Sequence, residues 1–219
     1  YTTSNDGVDW NLVPEANIPI ANINAYVSYP GMSAYGNSIW VPTVANSPLG
    51  NPRIYKSTDM GLTWNVIEIV LPNSSSRQYW LGMAFENETT GILTSAYSSS
   101  TDAIIKKTTD GGNTWFNINK PFYIISGNSI CTIPGVAGGY VVCGDVNDGS
   151  AFTLDGGNTW SLIDNKANFL PNFHSATVGW SIEYPSLRID KYIGPPIPLP
   201  VELTSFTAQA ENNQVKLSW

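Results

Sequence analysis

Apolar and polar residues in this chain alternate in short runs and never settle into a helical rhythm. The runs are rich in β-branched and aromatic side chains and are bounded by clusters of Gly, Pro, Asn and Ser, the pattern of strands and turns. No stretch holds a period near 3.6 over a dozen residues, so essentially no helix is expected. The runs fall in fours. Residues 24–30, 38–45, 53–57 and 63–70 form a first set, 79–86, 91–97, 103–108 and 114–118 a second, and 128–133, 140–145, 150–153 and 159–163 a third. A partial set follows at 173–178, 179–183 and 187–193. Its Arg188-Ile189-Asp190-Lys191-Tyr192 parallels Arg53-Ile54-Tyr55-Lys56-Ser57 and so reads as a third strand without a fourth.

An eight-residue phrase separates the third and fourth run of each full set. Ser57-Thr58-Asp59-Met60-Gly61-Leu62-Thr63-Trp64, Thr108-Thr109-Asp110-Gly111-Gly112-Asn113-Thr114-Trp115 and Thr153-Leu154-Asp155-Gly156-Gly157-Asn158-Thr159-Trp160 all read [ST]-x-D-x-G-x-T-W. A worn copy opens the chain, Thr3-Ser4-Asn5-Asp6-Gly7-Val8-Asp9-Trp10, with Asn5 in place of Asp and Asp9 in place of Thr. The tryptophans are 54, 51 and 45 residues apart, a period typical of propeller blades. The phrase is a turn device. The aspartate can accept backbone N–H bonds two residues on, the glycine supplies a positive φ, threonine starts the returning strand, and tryptophan plugs the gap beneath. Residues repeated in every set are most simply explained by a need that every set shares. Asn5, Gly7, Trp10, Asp59, Gly61, Trp64, Asp110, Gly112, Trp115, Asp155, Gly157 and Trp160 are therefore read as structural, with no catalytic residue and no metal ligand among them.

This phrase resembles the Asp-box, or bacterial neuraminidase (BNR) repeat, of sialidase-like, sortilin-like and secreted bacterial propellers. The resemblance implies an all-β fold: a β-propeller of four-stranded Asp-box blades, about four of them present as the C-terminal part of a larger ring. The N-terminal strand near Trp10 then either completes the partial fourth blade or belongs to a blade further upstream.

At Ile193 the composition changes. The expected propeller spans residues 1–193, and the proline-rich stretch 194–200 is a stiff connector of polyproline II type. Residues 201–219 alternate as the first hairpin of an incomplete β-sandwich. Leu199-Pro200-Val201-Glu202-Leu203-Thr204-Ser205-Phe206-Thr207-Ala208, with Val215-Lys216-Leu217-Ser218-Trp219, is similar to a segment of secreted Bacteroidetes proteins. There it opens a fibronectin-type-III-like module before a type IX secretion sorting domain. That similarity implies a secreted or cell-surface protein, and engagement of type IX machinery through a C-terminal region outside this sequence.

Charge narrows the partners. Only 12% of residues are charged and the formal net charge is −7, with no basic cluster longer than Lys106-Lys107, so nucleic acid is a poor partner. Apolar runs are too short to span a bilayer as a helix, so membrane insertion is not expected. The single histidine, His174, excludes a zinc site of several imidazoles, and no cofactor is expected. Calcium in the run Asp145-Val146-Asn147-Asp148-Gly149 is less well supported than a tight turn.

Sialidases of this fold hold a substrate carboxylate with three arginines, and this chain has three: Arg53, Arg77 and Arg188. Arg53 and Arg188 share one repeat position, however, and the Phe-Arg-Ile-Pro motif of that family is absent; Pro52-Arg53-Ile54-Tyr55 is a partial echo. A different glycosidase would need two carboxylates across a cleft. Glu15, Glu68, Glu86, Glu88, Asp102, Asp145, Asp148, Glu183 and Asp190 are available, and no motif marks a pair. Tyr26, Tyr29, Tyr35, Tyr79, Tyr97 and Tyr123 could stack on sugars or fill contacts between blades. The favoured reading is a non-catalytic binding, adhesion or structural module whose partners are other secreted or surface proteins, or glycans. A glycoside hydrolase with part of its site outside this sequence is the alternative.

Cys131 and Cys143 flank a glycine-rich turn centred on Ala137. A symmetric hairpin would place them opposite each other, with Cα atoms about 4.5 Å apart, at the short end of the disulfide range. A cross-strand disulfide is the expectation, with two small buried thiols as the alternative.

Overall fold

A computed structural model describes residues 1–22, 25–29, 31–44, 51–72, 79–97, 103–121, 129–144, 148–193, 207–211 and 214–218. Four antiparallel sheets follow one another along the chain. The first contains β1 (Tyr26–Val27), β2 (Ser33–Tyr35), β3 (Ser38–Val44), β4 (Arg53–Ser57) and β5 (Asn65–Glu68). The second is β6 (Tyr79–Phe85), β7 (Gly91–Tyr97), β8 (Ile104–Thr108) and β9 (Phe116–Asn117), in that spatial order. The third repeats this with β10 (Ser129–Thr132), β11 (Tyr140–Cys143), β12 (Ser150–Thr153) and β13 (Ser161–Asp164). The fourth has three strands, β14 (Asn168–Ser175), β15 (Val178–Glu183) and β16 (Arg188–Lys191). A separate hairpin pairs β17 (Thr207–Glu211) with β18 (Gln214–Ser218). The connector 194–200 lies outside the described residues. Among those residues the only helical element is a 3-10 turn at Glu15–Asn17.

The sheets pack face to face because their strands are apolar on both sides. Trp40, Ile54, Leu81, Met83, Phe85 and Leu93 fill the space between the first and second sheets. Ile92, Ile105, Ile130 and Tyr140 do the same between the second and third, and Val141, Cys143 and Phe173 between the third and fourth. Alternation along each strand gives every sheet one face toward its predecessor and one toward its successor. In the first sheet Trp40 faces forward, fully buried, and stacks on Phe85 with ring centroids 3.6 Å apart.

Three local readings differ from the sequence expectation. The inner strand of the first sheet is split into β1 and β2, both pairing with β3. The split allows Ser28 to leave the sheet and lock onto the next one, its hydroxyl donating to the Leu81 carbonyl (2.9 Å) and accepting the Leu81 N–H (2.7 Å). β14 begins at Asn168, five residues before the expected start, and crosses an irregularity at Leu170, where φ is +53°. Lastly, Cys131 and Cys143 are free thiols and not a disulfide. Ile133 N–H bonds the Gly139 carbonyl and two turns fit between them, so the hairpin is centred on Val136 instead of Ala137. Cys131 therefore faces Val141, and Cys143 faces Ser129. The two cysteines share a sheet face as diagonal neighbours.

The N-terminal segment does not complete the fourth sheet. Thr2 pairs with Asn11, and Asn17 binds the first octapeptide hairpin, its carbonyl accepting the Trp64 N–H (2.9 Å) and its side chain donating to the Leu62 carbonyl (3.0 Å). Among the described residues β16 pairs with β15 alone.

Candidate functional site

The repeated octapeptides form one hydrogen-bonded device. In the second copy, Thr108 is the hub. Its buried hydroxyl donates to Asp110 Oδ1 (2.8 Å) and accepts the Gly112 N–H (2.8 Å). Asp110 Oδ1 also accepts the Thr114 N–H (2.9 Å), while Oδ2 accepts the Thr114 hydroxyl (2.6 Å). The backbone donor is four residues on, rather than the two expected. Gly112 sits at φ +91°, with the Trp115 ring 3.4 Å from where a Cβ would stand, and Trp115 donates its indole N–H to the Gly112 carbonyl (2.8 Å). Ser57, Asp59, Gly61, Thr63 and Trp64 repeat the arrangement. So do Thr153, Asp155, Gly157 and Thr159, except that Trp160 donates to Asn119 of the preceding sheet (2.9 Å). Hydrogen bonds from Thr63 hold the Asp59 carboxyl at about 2, and those from Thr114 hold Asp110 there too. At Asp155, burial pushes the value up, but bonds from Thr159 and Thr153 carry it below the usual range.

The worn copy keeps this geometry with donor and acceptor exchanged. Thr3 donates to Asn5 Oδ1 (2.9 Å) and accepts the Gly7 N–H (3.0 Å), and Asn5 Oδ1 accepts the Asp9 N–H (2.9 Å). Where an aspartate elsewhere accepts a threonine hydroxyl, Asn5 Nδ2 here donates to Asp9 Oδ2 (2.8 Å). Trp10 again donates to its glycine, Gly7 (3.0 Å). Eleven of these twelve positions bond within their own turn, and Trp160 bonds to the Asn119 carbonyl instead.

A groove of about 490 Å³ opens between the third and fourth sheets. Val141, Phe152 and Phe173 give it an apolar floor, and Asp164, Lys166 and Asn168 a polar wall. Asn168 is buried and joins the sheets: its Nδ2 donates to Ser150 Oγ (2.9 Å) and Asp164 Oδ1 (3.1 Å), and its Oδ1 accepts from Ser181 (3.1 Å). Lys166 and Asp190, both in the lining, pair at 2.8 Å; Lys166 also reaches Glu183 (3.9 Å), and Arg188 binds Asp190 (2.9 Å) and Glu183. Hydrogen bonds from Lys166 and then Arg188 lower the Asp190 pKa. This network had no sequence motif, because its members come from a loop and two strands. A second cavity of about 550 Å³ separates the N-terminal segment from the backward face of the first sheet, lined by apolar side chains such as Val13, Ile39, Val41 and Trp64.

The other candidates stay apart. Arg53 donates to the Ile20 carbonyl (3.4 Å), whereas Arg188 is held by Asp190 and Glu183, so the two arginines have separate partners. Arg77, Asp102, Asp145 and Tyr123 lie outside the described residues. Glu86 accepts the Gly138 N–H between the second and third sheets, and Glu68 accepts from Asn51 (2.8 Å). Among the described residues no three His, Cys, Asp or Glu side chains are grouped to hold a metal. Tyr26 meets Trp80 edge to face at 5.7 Å, beside exposed Val27 and Tyr29. Burial drives the Cys143 thiol up to about 12, and burial followed by the neighbouring Cys143 raises Cys131 as well.

No family model matches the chain, and no curated protein does. Solved structures do. YCF48 bound to D1 peptide superposes with TM-score 0.55 at 17% identity, over 84% of this chain and 56% of that one. YCF48 from Cyanidioschyzon merolae gives 0.55 at 9% identity, over 90% and 63%. Hadza microbial sialidase Hz136 gives 0.51 at 16% identity, over 72% and 42%. The chain thus spans less than two thirds of the length of each. Identities this low establish the fold alone: an all-β chain whose four sheets are arranged as the blades of a β-propeller.

Proposed function

We propose that this blade series is a non-catalytic binding module of the Asp-box (BNR repeat) kind, secreted or displayed at the cell surface. One observation carries the reading. The two carboxylates that line the groove are both engaged: Asp190 by Lys166 and Arg188, and Asp164 by the Asn168 amide. A glycosidase acid must hold its proton near neutral pH and so needs a raised pKa, whereas Asp190 is lowered. The groove between the third and fourth blades has the size and the mixed lining of a ligand site. It suits an extended peptide or a glycan, held by Asn168 and Lys166 over an apolar floor. One solved neighbour is a complex with a peptide and another is a sialidase. The β17–β18 hairpin fits the opening of a fibronectin-type-III-like module in a type IX secretion cargo of Bacteroidetes type, which supports an adhesive or display role.

The test has two arms. Purified protein incubated with fluorogenic sialosides, aryl glycosides and xyloglucan should turn over none of them. Immobilised glycans and extended peptides should show saturable binding from one class, weakened at least tenfold by Lys166→Glu. Turnover that is lost in Asp190→Asn would overturn this reading in favour of a glycoside hydrolase whose site lies partly outside this sequence.

A further inference from the structure

The two carboxylates of the groove differ in what answers their charge. Asp190 meets two cations, Lys166 (2.8 Å) and Arg188 (2.9 Å). Asp164 meets neutral donors: the Asn168 amide at 3.1 and 3.3 Å and the Lys166 backbone N–H at 3.2 Å. Among the described residues no cation pairs with Asp164, and the Lys166 ammonium is spent on Asp190 and Glu183. Asp164 is half-buried in the groove wall, so water screens its charge only in part.

Strand register sets what lies beside that charge. Asp164 on β13 pairs with Ser150 on β12, and Ser150 with Cys143 on β11, so the three stand in one row across the third blade. The next row on the same face is Phe152 opposite Val141. Val141 and Cys143 pack in one core with Phe173, which turns this face toward the fourth blade. A carboxylate at the outer end of an apolar floor fits a side chain with a long apolar stem and a cationic head.

The other polar groups have little to offer a sugar. Asn168 spends its Nδ2 on Ser150 and Asp164, and its Oδ1 accepts from Ser181. Lys191 also lines the groove, but it stands opposite Trp180, and alternation puts both on the far face of the fourth sheet from Ser181 and Asp190. The formal net charge of −7 adds a long-range pull on cations.

Given the groove as the binding site proposed above, we infer that it receives an arginine or lysine side chain from an extended peptide. The cationic head pairs with Asp164, and the stem lies over Phe152 and Val141.

Fluorescein-labelled extended peptides that differ only at a central arginine, citrulline or glutamate test this by anisotropy. Citrulline keeps the shape of arginine without its charge. The arginine peptide should bind at least tenfold tighter than the citrulline peptide, an advantage that shrinks as salt is added. Asp164→Asn keeps an acceptor for Asn168 and Lys166. It should leave the far-ultraviolet spectrum and the citrulline affinity unchanged while removing the arginine advantage. Asp164→Lys should move the preference to glutamate. Lys166→Glu sets a carboxylate against Asp190 and Glu183, breaks the wall itself, and should weaken all three peptides. An arginine advantage that survives Asp164→Asn, or saturable binding of a glycan in place of any peptide, would overturn the proposal and leave the groove a binding site. Absence of saturable binding by every peptide and glycan would overturn both.

Discussion

A threonine or serine hydroxyl that begins each octapeptide is the residue on which the turn depends. Thr108 is fully buried and serves both a carboxylate and the buried Gly112 N–H. Thr108→Val strands that donor, and leaving a buried polar group unpaired costs about 1–3 kcal/mol. A loss of that size should appear in chemical denaturation. Asp110→Ala removes exposed bonds and should cost less, about 1–2 kcal/mol. The carboxylates also set an acid limit. Asp59 and Asp110 titrate at about 2 when folded, below the unfolded value of about 3.9. Their contribution is therefore complete above the unfolded value and is lost as pH falls from about 4 toward 2. The melting temperature should drop through that window, and less steeply in Asp110→Asn. In the worn copy the exchanged pair gives a different forecast. Asn5→Asp sets two carboxylates against each other and should destabilise the turn at pH 7, while Asn5→Asp with Asp9→Thr should recover the loss.

At the element scale most of the fold was legible in the sequence. The third strands Arg53–Ser57 and Ser150–Thr153 were delimited to the residue, because an apolar run met an octapeptide with a fixed start. The inner strands were less legible. β1 and β2 divide where Ser28 turns to the Leu81 backbone, a bond across 53 residues that no local pattern announces. The cysteines fail for a related reason. Spacing gave their hairpin a centre, but two successive turns at Pro134-Gly135 and Ala137-Gly138 moved it by one residue. Both thiols should resist an aromatic disulfide reagent in native protein at pH 8 and react fully once denatured, since burial holds them protonated. Of the charged network beside the groove, Asp190, Glu183 and Arg188 could be named from the sequence, but Lys166 could not. Lys166 reaches Asp190 and Glu183 over 24 and 17 residues from a loop without a motif.

For the whole molecule, the strand contacts among the described residues run between successive blades, so local stability follows position in the series. The second blade is enclosed on both faces by tightly packed side chains, Leu81 and Leu93 on one and Ile92 and Ile105 on the other. Its amides on β6 and β7 should exchange slowest with deuterium, and those of β16, with its open edge, fastest among the four sheets. Uniform protection across the series would show a single cooperative unit instead. Trp40 and Lys107 each donate to a carbonyl of the turn one blade ahead, Gly111 (2.9 Å) and Gly156 (3.2 Å), and this forward grip has a genetic corollary. Every junction joins a forward face to a backward one, so nothing within a blade counts how many precede or follow it. Recombination between two octapeptide codons would insert or excise one unit in frame, keeping each surviving strand's alternation intact. Copy number can then change in single steps, and a lineage of such chains would vary in blade count sooner than in the chemistry of the turn.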